Sequence, residues 1–276
     1  MTDHPDDTPR RRGRPRTAAP AESGIRTLDR SLDILAALAA GGGLSLTDLA
    51  ARLHQPTSTV HRMLMTLERR GMAEIDPATQ QWHVGAETFR IGSAFMRRSG
   101  IVERARPILE ALMRATGETT NLGVIRNGKV LFVAQVETHE MIRAFFPLGT
   151  ESPMHASGIG KALLAHRSPE EVAAFAAGRL ERFTDRTLTD PAALAASLAE
   201  IRERGFALDD EERTEGMRCI AVAARDRTGS PVAGVSISGP VHRVRLDRVE
   251  EIGQHVAEAA RALSRALGYR PPEDDG

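Results

Sequence analysis

The sequence lacks several features that would assign it to a membrane or secreted class. It has one cysteine, Cys219, so no disulfide can form within the chain, which predicts a protein of the reducing cytoplasm. No apolar run approaches the roughly 18 residues that a membrane span needs, so a membrane protein is excluded. The first thirty residues are rich in Asp and Arg and contain no apolar signal segment, which predicts that the protein is not secreted.

Net charge is also absent, but the average conceals an asymmetry. The 276 residues include 37 basic and 37 acidic side chains. Residues 1–98 hold 14 basic and 11 acidic side chains, whereas residues 99–276 hold 23 and 26. Five of the seven residues in "RRRGRPR", residues 10–16, are arginine. A basic N-terminal part beside a nearly neutral body predicts that this end of the chain meets a polyanion.

Residues 1–23 are predicted to form a disordered basic arm, because they are rich in Pro, Asp, Arg and Thr and show no apolar periodicity. The segment "RGRP", residues 12–15, resembles the core of an AT-hook. Extended Arg side chains fit the narrow minor groove of A·T tracts, which makes Arg12, Arg14 and Arg16 candidate DNA contacts. The alternative is a solvated tail that raises solubility.

Residues 24–85 carry the pattern of a winged helix-turn-helix. Apolar residues recur with helical spacing before the glycines at 41–43, at Ile25, Leu28, Leu32, Leu35 and Leu38. Ser45 and Asp48 form a variant capping box for a helix that ends near Leu53. A second helix is predicted from about Pro56 to Arg70. The segments "MAEID" and "QQWHVG" then predict the two strands of a wing, with residues 77–80 as their turn.

The second helix of the pair is predicted to enter the major groove of DNA. Its N-terminal half offers short polar groups and a basic side chain that can reach base edges and phosphates: Gln55, Thr57, Ser58, Thr59, His61 and Arg62. Arg69 and Arg70, at the far end, are better placed for a phosphate or for the helix dipole. A helical hairpin that binds protein is the alternative, and the capped helix, turn, polar helix and wing together disfavour it.

The remaining residues predict a linker helix over 86–100, an α+β domain over 101–270 and a disordered tail over 271–276. Strands are predicted in "TNLGVIRN", "KVLFVAQVE", "MIRAFFPL", "GFALDD", "RCIAVAARD" and "PVAGVSIS". Asn127-Gly128 marks a hairpin between the first two. Helices are predicted at residues 101–116, 157–166, 170–177, 191–204 and 246–267. Strands gathered with flanking helices favour an antiparallel sheet.

Several kinds of catalytic and metal site are disfavoured. A phosphate loop would need Gly five positions before Gly160 and Ser or Thr after Lys161, where His155 and Ala162 stand. The nine histidines lack the usual ligand spacing, so no metal, cofactor or catalytic residue is predicted. A small-molecule enzyme with Cys219 as nucleophile, and His155 or His242 as base, remains an alternative. A Gly-rich helix beginning near residue 157 could instead bind a small anion through its first N–H groups.

Two sets of sequence blocks resemble the IclR family of transcriptional regulators, named for the isocitrate lyase regulator. The N-terminal set comprises "SLDILAAL", "LSLTDLAARL", "STVHRMLMTLERRGMAE" and "WHVGAETFRIGSAF", and the C-terminal set "PMHASGIGKALLA", "GFALDDEE", "GMRCIAV" and "SISGP". The resemblance implies a winged helix that binds operator DNA and a GAF/profilin-like domain that binds a small carboxylate effector. It also implies a homodimer or a dimer of dimers.

Family members that sense glyoxylate or pyruvate imply an effector pocket in these blocks. Carried over by motif, the pocket comprises Gly158, Ile159, Asp209, Met217, Cys219, Ser236 and Ser238, with Leu148 as a weaker candidate. Such sensors have Ala where this chain has Ile159, so the cavity is expected to favour two-carbon glyoxylate over pyruvate. The Asp209 carboxylate would repel an anion, so it could accept from a hydroxyl, orient other donors, or be protonated.

Overall fold

The structure is a computed structural model that describes residues 25–270. The predicted basic arm with Arg12, Arg14 and Arg16, and the predicted tail over 271–276, lie outside the described residues. Backbone contacts divide the chain into two units, with the boundary between Ala94 and Phe95. This boundary falls within helix α4 (Ala86–Ser99), in the region where a linker helix was predicted.

The N-terminal unit is the predicted winged helix-turn-helix. In chain order it contains α1 (Arg26–Gly41), α2 (Leu46–Arg52), α3 (Thr57–Arg69), β1 (Ala73–Ile75) and β2 (Trp82–Val84). Ser45 caps α2, because its hydroxyl accepts a hydrogen bond of 3.1 Å from the backbone N–H of Asp48. Pro56 is the N-cap residue of α3, and β1 pairs antiparallel with β2 to form the wing. The unit's core includes Val60, Leu64, Leu67 and Trp82.

The predicted apolar stripe of α1 is wrong in its first half. Ile25, Leu28 and Leu32 are 70%, 54% and 53% exposed, whereas the buried residues of α1 are Ile34, Ala37 and Leu38. Followed back along the helix at 3.6 residues per turn, the buried face runs through polar positions instead. Thr27, Arg30 and Ser31 lie on that face and line a groove with α3. The early leucines therefore belong to a neighbouring face.

The C-terminal unit is built on an antiparallel sheet, as predicted. The sheet has six strands in the order β5-β4-β3-β8-β7-β6. Its strands are β3 (Thr119–Arg126), β4 (Lys129–Val136), β5 (Glu151–Pro153), β6 (Ala207–Asp210), β7 (Met217–Arg225) and β8 (Pro231–Pro240). Its helices are α5 (Ile101–Thr116), α6 (Gly158–Leu164), α7 (Pro169–Ala176), α8 (Pro191–Arg204) and α9 (Val249–Ala266). A turn of 3-10 helix, Leu246–Arg248, leads into α9.

The sheet separates two apolar cores. Side chains of α5 and α9 cover one face, where Leu109, Ile220 and Val256 are fully buried. Side chains of α6, α7 and α8 cover the other face, where Leu163 and Leu198 are fully buried. No described helix, over residues 25–270, combines the length and the apolar character needed to cross a membrane.

The hairpin prediction is confirmed, and one strand prediction is wrong. Asn127 and Gly128 have φ of 50° and 73°, the positive values that a two-residue hairpin turn requires between β3 and β4. The segment "MIRAFFPL", residues 141–148, is a loop, and the strand that follows β4 is β5. Because β5 pairs with β4 over residues 129–131, the loop adds no strand to that edge. Strand propensity reflects packing on a pleated surface, yet Met141 is 95% exposed.

Candidate functional site

The polar residues predicted for DNA recognition lie at the start and on the outer face of α3. Thr57, Ser58, His61, Arg62, Arg69 and Arg70 are exposed, and Gln55 and Thr59 are half-buried. The opposite face is buried through Val60, Met63, Leu64 and Leu67. A helix fixed by its apolar face and polar on its outer face has the form that major-groove reading requires.

An additional basic residue stands beside this helix. Arg30 of α1 lines the same groove as Arg62 of α3, and both side chains are exposed. Arg30 was not predicted as a DNA contact, because α1 was expected to turn its leucines toward the core. The polar positions on the buried face of α1 were the signal that could have identified it.

All seven residues predicted to contact an effector line one small cavity in the C-terminal unit. These are Gly158, Ile159, Asp209, Met217, Cys219, Ser236 and Ser238. The space open to the centre of a water-sized sphere is about 30 Å³. Leu148 does not line this cavity and is 61% exposed, so its inclusion as a wall residue is corrected. It belongs to the loop that was wrongly predicted as a strand.

The register of the sheet explains how residues distant in sequence meet here. Ser238 of β8 lies opposite Cys219 of β7, and Cys219 lies opposite Asp209 of β6. Ser236 is two residues before Ser238, so both side chains lie on the same face of the sheet. Asp209, Cys219 and Ser238 therefore form a row across three strands, directly beneath the start of α6.

Glycines allow α6 to approach the sheet closely. A Cβ atom added to Gly158 would lie 2.8 Å from Cys219 Sγ and 3.3 Å from Ala221 Cβ. One added to Gly234 would lie 2.5 Å from Ile159 Cγ2. The Ile159 side chain is 1% exposed and is held against the sheet by this contact. It therefore faces inward, so its size bears on the cavity.

Hydrogen-bond donors are concentrated at the start of α6. The Ser157 hydroxyl caps the helix by accepting a 3.3 Å hydrogen bond from the Gly160 N–H. Gly158 and Ile159 are the first two residues of the helix, so their N–H groups have no carbonyl partner within it. Both residues line the cavity, where these amides can receive an acceptor atom of a ligand.

Asn121 and Gln135 are buried and half-buried polar residues that the sequence analysis missed. Asn121 Nδ2 donates to Ser236 Oγ at 3.4 Å and to Ser238 Oγ at 3.3 Å. Gln135 Nε2 donates to Asn121 Oδ1 at 2.8 Å. The signal in the sequence was an amide side chain on a predicted strand, next to the apolar segment that follows it, although its partners are set by strand register.

Burial disfavours the charged forms of two groups in the cavity, the Asp209 carboxyl and the Cys219 thiol. Burial raises the pKa of the Asp209 carboxyl to about 7, and the nearby charge of Glu212 adds to the rise. Burial also raises the pKa of the Cys219 thiol to about 12, and the charge of Asp209 adds to it. A nucleophilic thiolate needs the opposite shift in pKa. His155 Nε2 contacts the Glu181 carbonyl oxygen at 2.9 Å instead, and His242 is exposed, so neither is placed as a base for the thiol.

A buried ion pair lies behind the Asp209 wall. Lys161 is 1% exposed, and its Nζ donates to the Leu208 carbonyl oxygen at 2.6 Å and to the Glu212 carboxylate. The Glu212 N–H in turn donates to Asp209 Oδ1 at 2.8 Å. Glu212 Oε2 has no hydrogen-bond partner among residues 25–270. Lys161 therefore neutralises one of two neighbouring acids, and the raised pKa of Asp209 lets the other hold a proton.

Arg213 is a further cavity residue that the sequence analysis did not select. Its guanidinium carbon lies 3.9 Å from the centroid of the Phe183 ring. It forms no ion pair within the described part of the chain, whereas Arg218, also on the cavity wall, donates to Asp210 at 2.7 Å. A guanidinium stacked on an aromatic ring keeps its N–H edges free for a carboxylate. Nothing in the spacing of "DDEER" predicted this contact.

Residues 25–270 contain no group of three or more His, Cys, Asp and Glu side chains that could hold a metal ion. The residues that line the cavity carry amide, hydroxyl and guanidinium groups, which can donate to an anion or to a carbonyl group. Met217 and Phe146 add apolar walls. This composition suits reversible binding of a small polar molecule.

Comparisons with known proteins agree on the class. Residues 93–265 match the family described as bacterial transcriptional regulator IclR C-terminal, and residues 27–77 match the IclR helix-turn-helix domain. The chain is 57% identical over 273 residues to the HTH-type transcriptional regulator BhcR of Paracoccus denitrificans, covering 97% of each protein.

Two solved structures have the same fold along most of the chain. The Thermotoga maritima IclR is 30% identical, with a TM-score of 0.74 over 88% of this chain and 99% of that one. An IclR homolog from Microbacterium hydrocarbonoxydans, complexed with 4-hydroxybenzoate, is 26% identical, with a TM-score of 0.77 over 87% and 98%. The chain therefore belongs to the IclR family, whose members are DNA-binding transcriptional regulators with an effector-binding C-terminal domain and not enzymes.

Proposed function

We propose that this regulator senses glyoxylate, in the cavity beneath α6, and that glyoxylate changes its affinity for promoter DNA. The observation that carries the proposal is the lining of the cavity. Backbone amides of Gly158 and Ile159 belong to one side, and the hydroxyls of Ser236 and Ser238 to the sheet side. A two-carbon 2-oxo acid carries acceptor oxygens at both of its carbons, which matches two groups of donors.

The size of the cavity supports a very small ligand. A water molecule needs roughly 10–15 Å³ of space open to the centre of a water-sized sphere. The cavity offers about 30 Å³ of it, which corresponds to two or three groups of the size of a water molecule. The 4-hydroxybenzoate bound by the Microbacterium relative is much larger. An aromatic acid would require the walls here to move apart, and pyruvate would add a methyl group next to Ile159.

The donors of the cavity suggest how the acid would be held. Its carboxylate would accept from the Gly158 and Ile159 amides and from the unpaired guanidinium of Arg213. Its oxo group would accept from the serine hydroxyls. The pKa of Asp209, about 7, lets this residue carry a proton and face an anion without repelling it.

The DNA side of the proposal rests on α3 and on symmetry. Operators read by helix-turn-helix proteins are palindromic, so a dimer would place two copies of α3 in successive major grooves. We therefore propose a homodimer or a dimer of dimers as the DNA-binding species. Glyoxylate alters operator affinity only if it prefers one arrangement of the protein over another.

Two measurements test this function. Isothermal titration calorimetry with glyoxylate, pyruvate and 4-hydroxybenzoate should give the tightest binding for glyoxylate. Comparable affinities for glyoxylate and pyruvate would contradict the size argument. A gel-shift experiment at moderate salt should show sequence-selective binding to a fragment of the protein's own promoter region, altered by glyoxylate. Absence of a sequence-selective shift would refute the regulatory part.

Replacing Cys219 by Ser gives a further check on the role of the thiol. The side chain is half-buried against the start of α6, and its thiol is neutral. A hydroxyl of similar size should therefore change the affinity and the ligand preference without abolishing binding. Complete loss of glyoxylate binding in a folded variant would contradict this role.

A further inference from the structure

Asn121 lies near the start of β3 and does not line the cavity. Its register partners are Ser236 on one neighbouring strand and Gln135 on the other. Asn121, Ser236 and Ser238 are at most 3% exposed, so their polar atoms depend on one another for hydrogen bonds. Gln135 is half-buried at the outer end of this row.

All hydrogen-bonding atoms of the Asn121 side chain are occupied. Its Nδ2 has two protons, and one bond of 3.4 Å reaches Ser236 Oγ while one of 3.3 Å reaches Ser238 Oγ. Its Oδ1 accepts the 2.8 Å bond from Gln135 Nε2. The bond from Gln135 fixes which end of the Asn121 amide faces the serines. If the amide were rotated, the N–H group of Gln135 would face the N–H group of Asn121.

This arrangement sets the direction of the serine hydroxyls. A hydroxyl has one proton to donate and two lone pairs that accept. Each Oγ already accepts from Asn121, so neither hydroxyl can donate its proton to that N–H group. Both serines line the cavity beside the Cys219 sulfur, with which both hydroxyls interact. Sulfur is a weak acceptor, so a ligand oxygen in the cavity can take these protons in its place.

We propose that Asn121 and Gln135 are positioning residues that turn the Ser236 and Ser238 protons into the cavity and thereby make its sheet side select acceptor groups. The proposal rests on the proposed function, because it names what selects a 2-oxo acid. An oxo oxygen accepts from both hydroxyls. A 2-hydroxy acid such as glycolate brings a proton of its own, which these hydroxyls, when donating, do not stabilise.

Two substitutions reverse the hydrogen bonds by independent routes. In Asn121→Asp, titrated at a pH where the new carboxyl is ionised, the side chain is almost the same size but can only accept, so the serine protons turn away from the cavity. In Gln135→Glu, the new carboxylate accepts from Asn121 Nδ2, so the Asn121 amide rotates and presents Oδ1 to the serines. The Gln135→Glu substitution places its charge at a half-buried position. This variant therefore still tests the proposal if the buried carboxylate of Asn121→Asp prevents folding.

Calorimetric titrations of the full-length variants with glyoxylate and with glycolate provide the test. The wild type should prefer glyoxylate. Loss of the two neutral hydrogen bonds from the serines corresponds to roughly tenfold weaker binding or more, so both reversing variants should bind glyoxylate at least tenfold more weakly. Glycolate, whose hydroxyl can donate to the turned serines, should weaken less, so the preference falls toward one or inverts.

Thr120→Val is a matched control on the same strand. The buried Thr120 hydroxyl donates to the Leu109 carbonyl oxygen at 3.0 Å, on the other side of the sheet. This control should lower stability without changing the ratio of the two affinities. A purely structural role of Asn121 would likewise leave the ratio unchanged.

The outcomes separate the two proposals. If the wild type binds neither acid, both the proposed function and this inference fail. If the wild type prefers glyoxylate but a folded Asn121→Asp or Gln135→Glu variant keeps the same preference, the positioning role is wrong and the proposed function stands. Tighter glyoxylate binding in these variants also overturns the inference, because it would mean that the serine hydroxyls do not need the Asn121 N–H groups in order to donate to the ligand.

Discussion

Replacing Asp209 by Asn should stabilise the unliganded protein, and the gain should grow as the pH rises. The side chain is 8% exposed, and its pKa is raised from 3.8 to about 7, first by burial and then by the charge of Glu212. The folded state therefore retains a proton that the unfolded chain has lost. A raised carboxyl pKa contributes stability that is fully present below the unfolded pKa and is lost as pH rises toward the folded pKa.

The magnitude follows from the two pKa values. Each pH unit between 3.8 and about 7 removes up to about 1.4 kcal/mol of stability, and the full loss above pH 7 is about 4 kcal/mol. Between pH 5 and pH 8 the loss is about 2.5 kcal/mol by the same relation. An Asn side chain does not ionise and can still accept the hydrogen bond from the Glu212 N–H through its carbonyl oxygen.

Urea denaturation of the wild type and of Asp209→Asn at pH 5 and pH 8 measures this difference. The free energy of unfolding of the variant, minus that of the wild type, should increase by about 2.5 kcal/mol over this interval. Glu215→Gln, an exposed acid in the loop after β6, serves as the control and should show no such increase. Parallel pH profiles for wild type and Asp209→Asn would refute the reasoning that Asp209 is buried as a protonated acid.

Three further substitutions test other parts of the account. Gly158→Ala places a Cβ 2.8 Å from Cys219 Sγ and should abolish glyoxylate binding in calorimetry. Gly178→Ala is the control, because its Cβ would lie 3.4 Å from the nearest carbonyl oxygen, and it should retain binding. Equal affinities of the two variants would contradict the close approach of α6 to the sheet. Ile159→Ala should cost about 2–5 kcal/mol in urea denaturation and admit pyruvate, and unchanged selectivity in calorimetry would contradict the size argument. Arg62→Ala should weaken operator binding and reduce the salt dependence measured by anisotropy, and an unchanged salt dependence would remove Arg62 from the phosphate contacts.

Local patterns predicted the parts of the fold that local interactions decide. The helix over 101–116, the cap at Ser45 and the turn at Asn127-Gly128 depend on residues within one or two turns of each other, and all were predicted at these positions. The strand prediction for residues 141–148 was wrong. The aromatic and branched residues of this segment resemble those of a strand, but a strand also needs a neighbouring strand with unpaired backbone groups. In this sheet β5 pairs with β4 at that edge, and the pairing of two strands cannot be read from the local sequence of either one.

The candidate site divides in the same way. Gly158 and Ser236 were predicted because they stand in sequence blocks that resemble a family. Both line the cavity, and the register of β7 with β8 places Ser236 and Ser238 beside Cys219. Asn121 and Gln135 act on that cavity across strands, through contacts between residues as far as 117 positions apart in sequence. Lys161 looks like an ordinary helix lysine, and only the fold shows that it pairs with Glu212 in the interior.

The most direct test of the central claim is the midpoint of operator binding, measured by fluorescence anisotropy, with and without glyoxylate. We expect glyoxylate to shift the midpoint for the wild type. We expect no shift for a Ser236→Ala, Ser238→Ala double variant, which keeps α3 and the start of α6 intact. A wild-type midpoint that is the same at zero and saturating glyoxylate would contradict the claim that this cavity controls DNA binding.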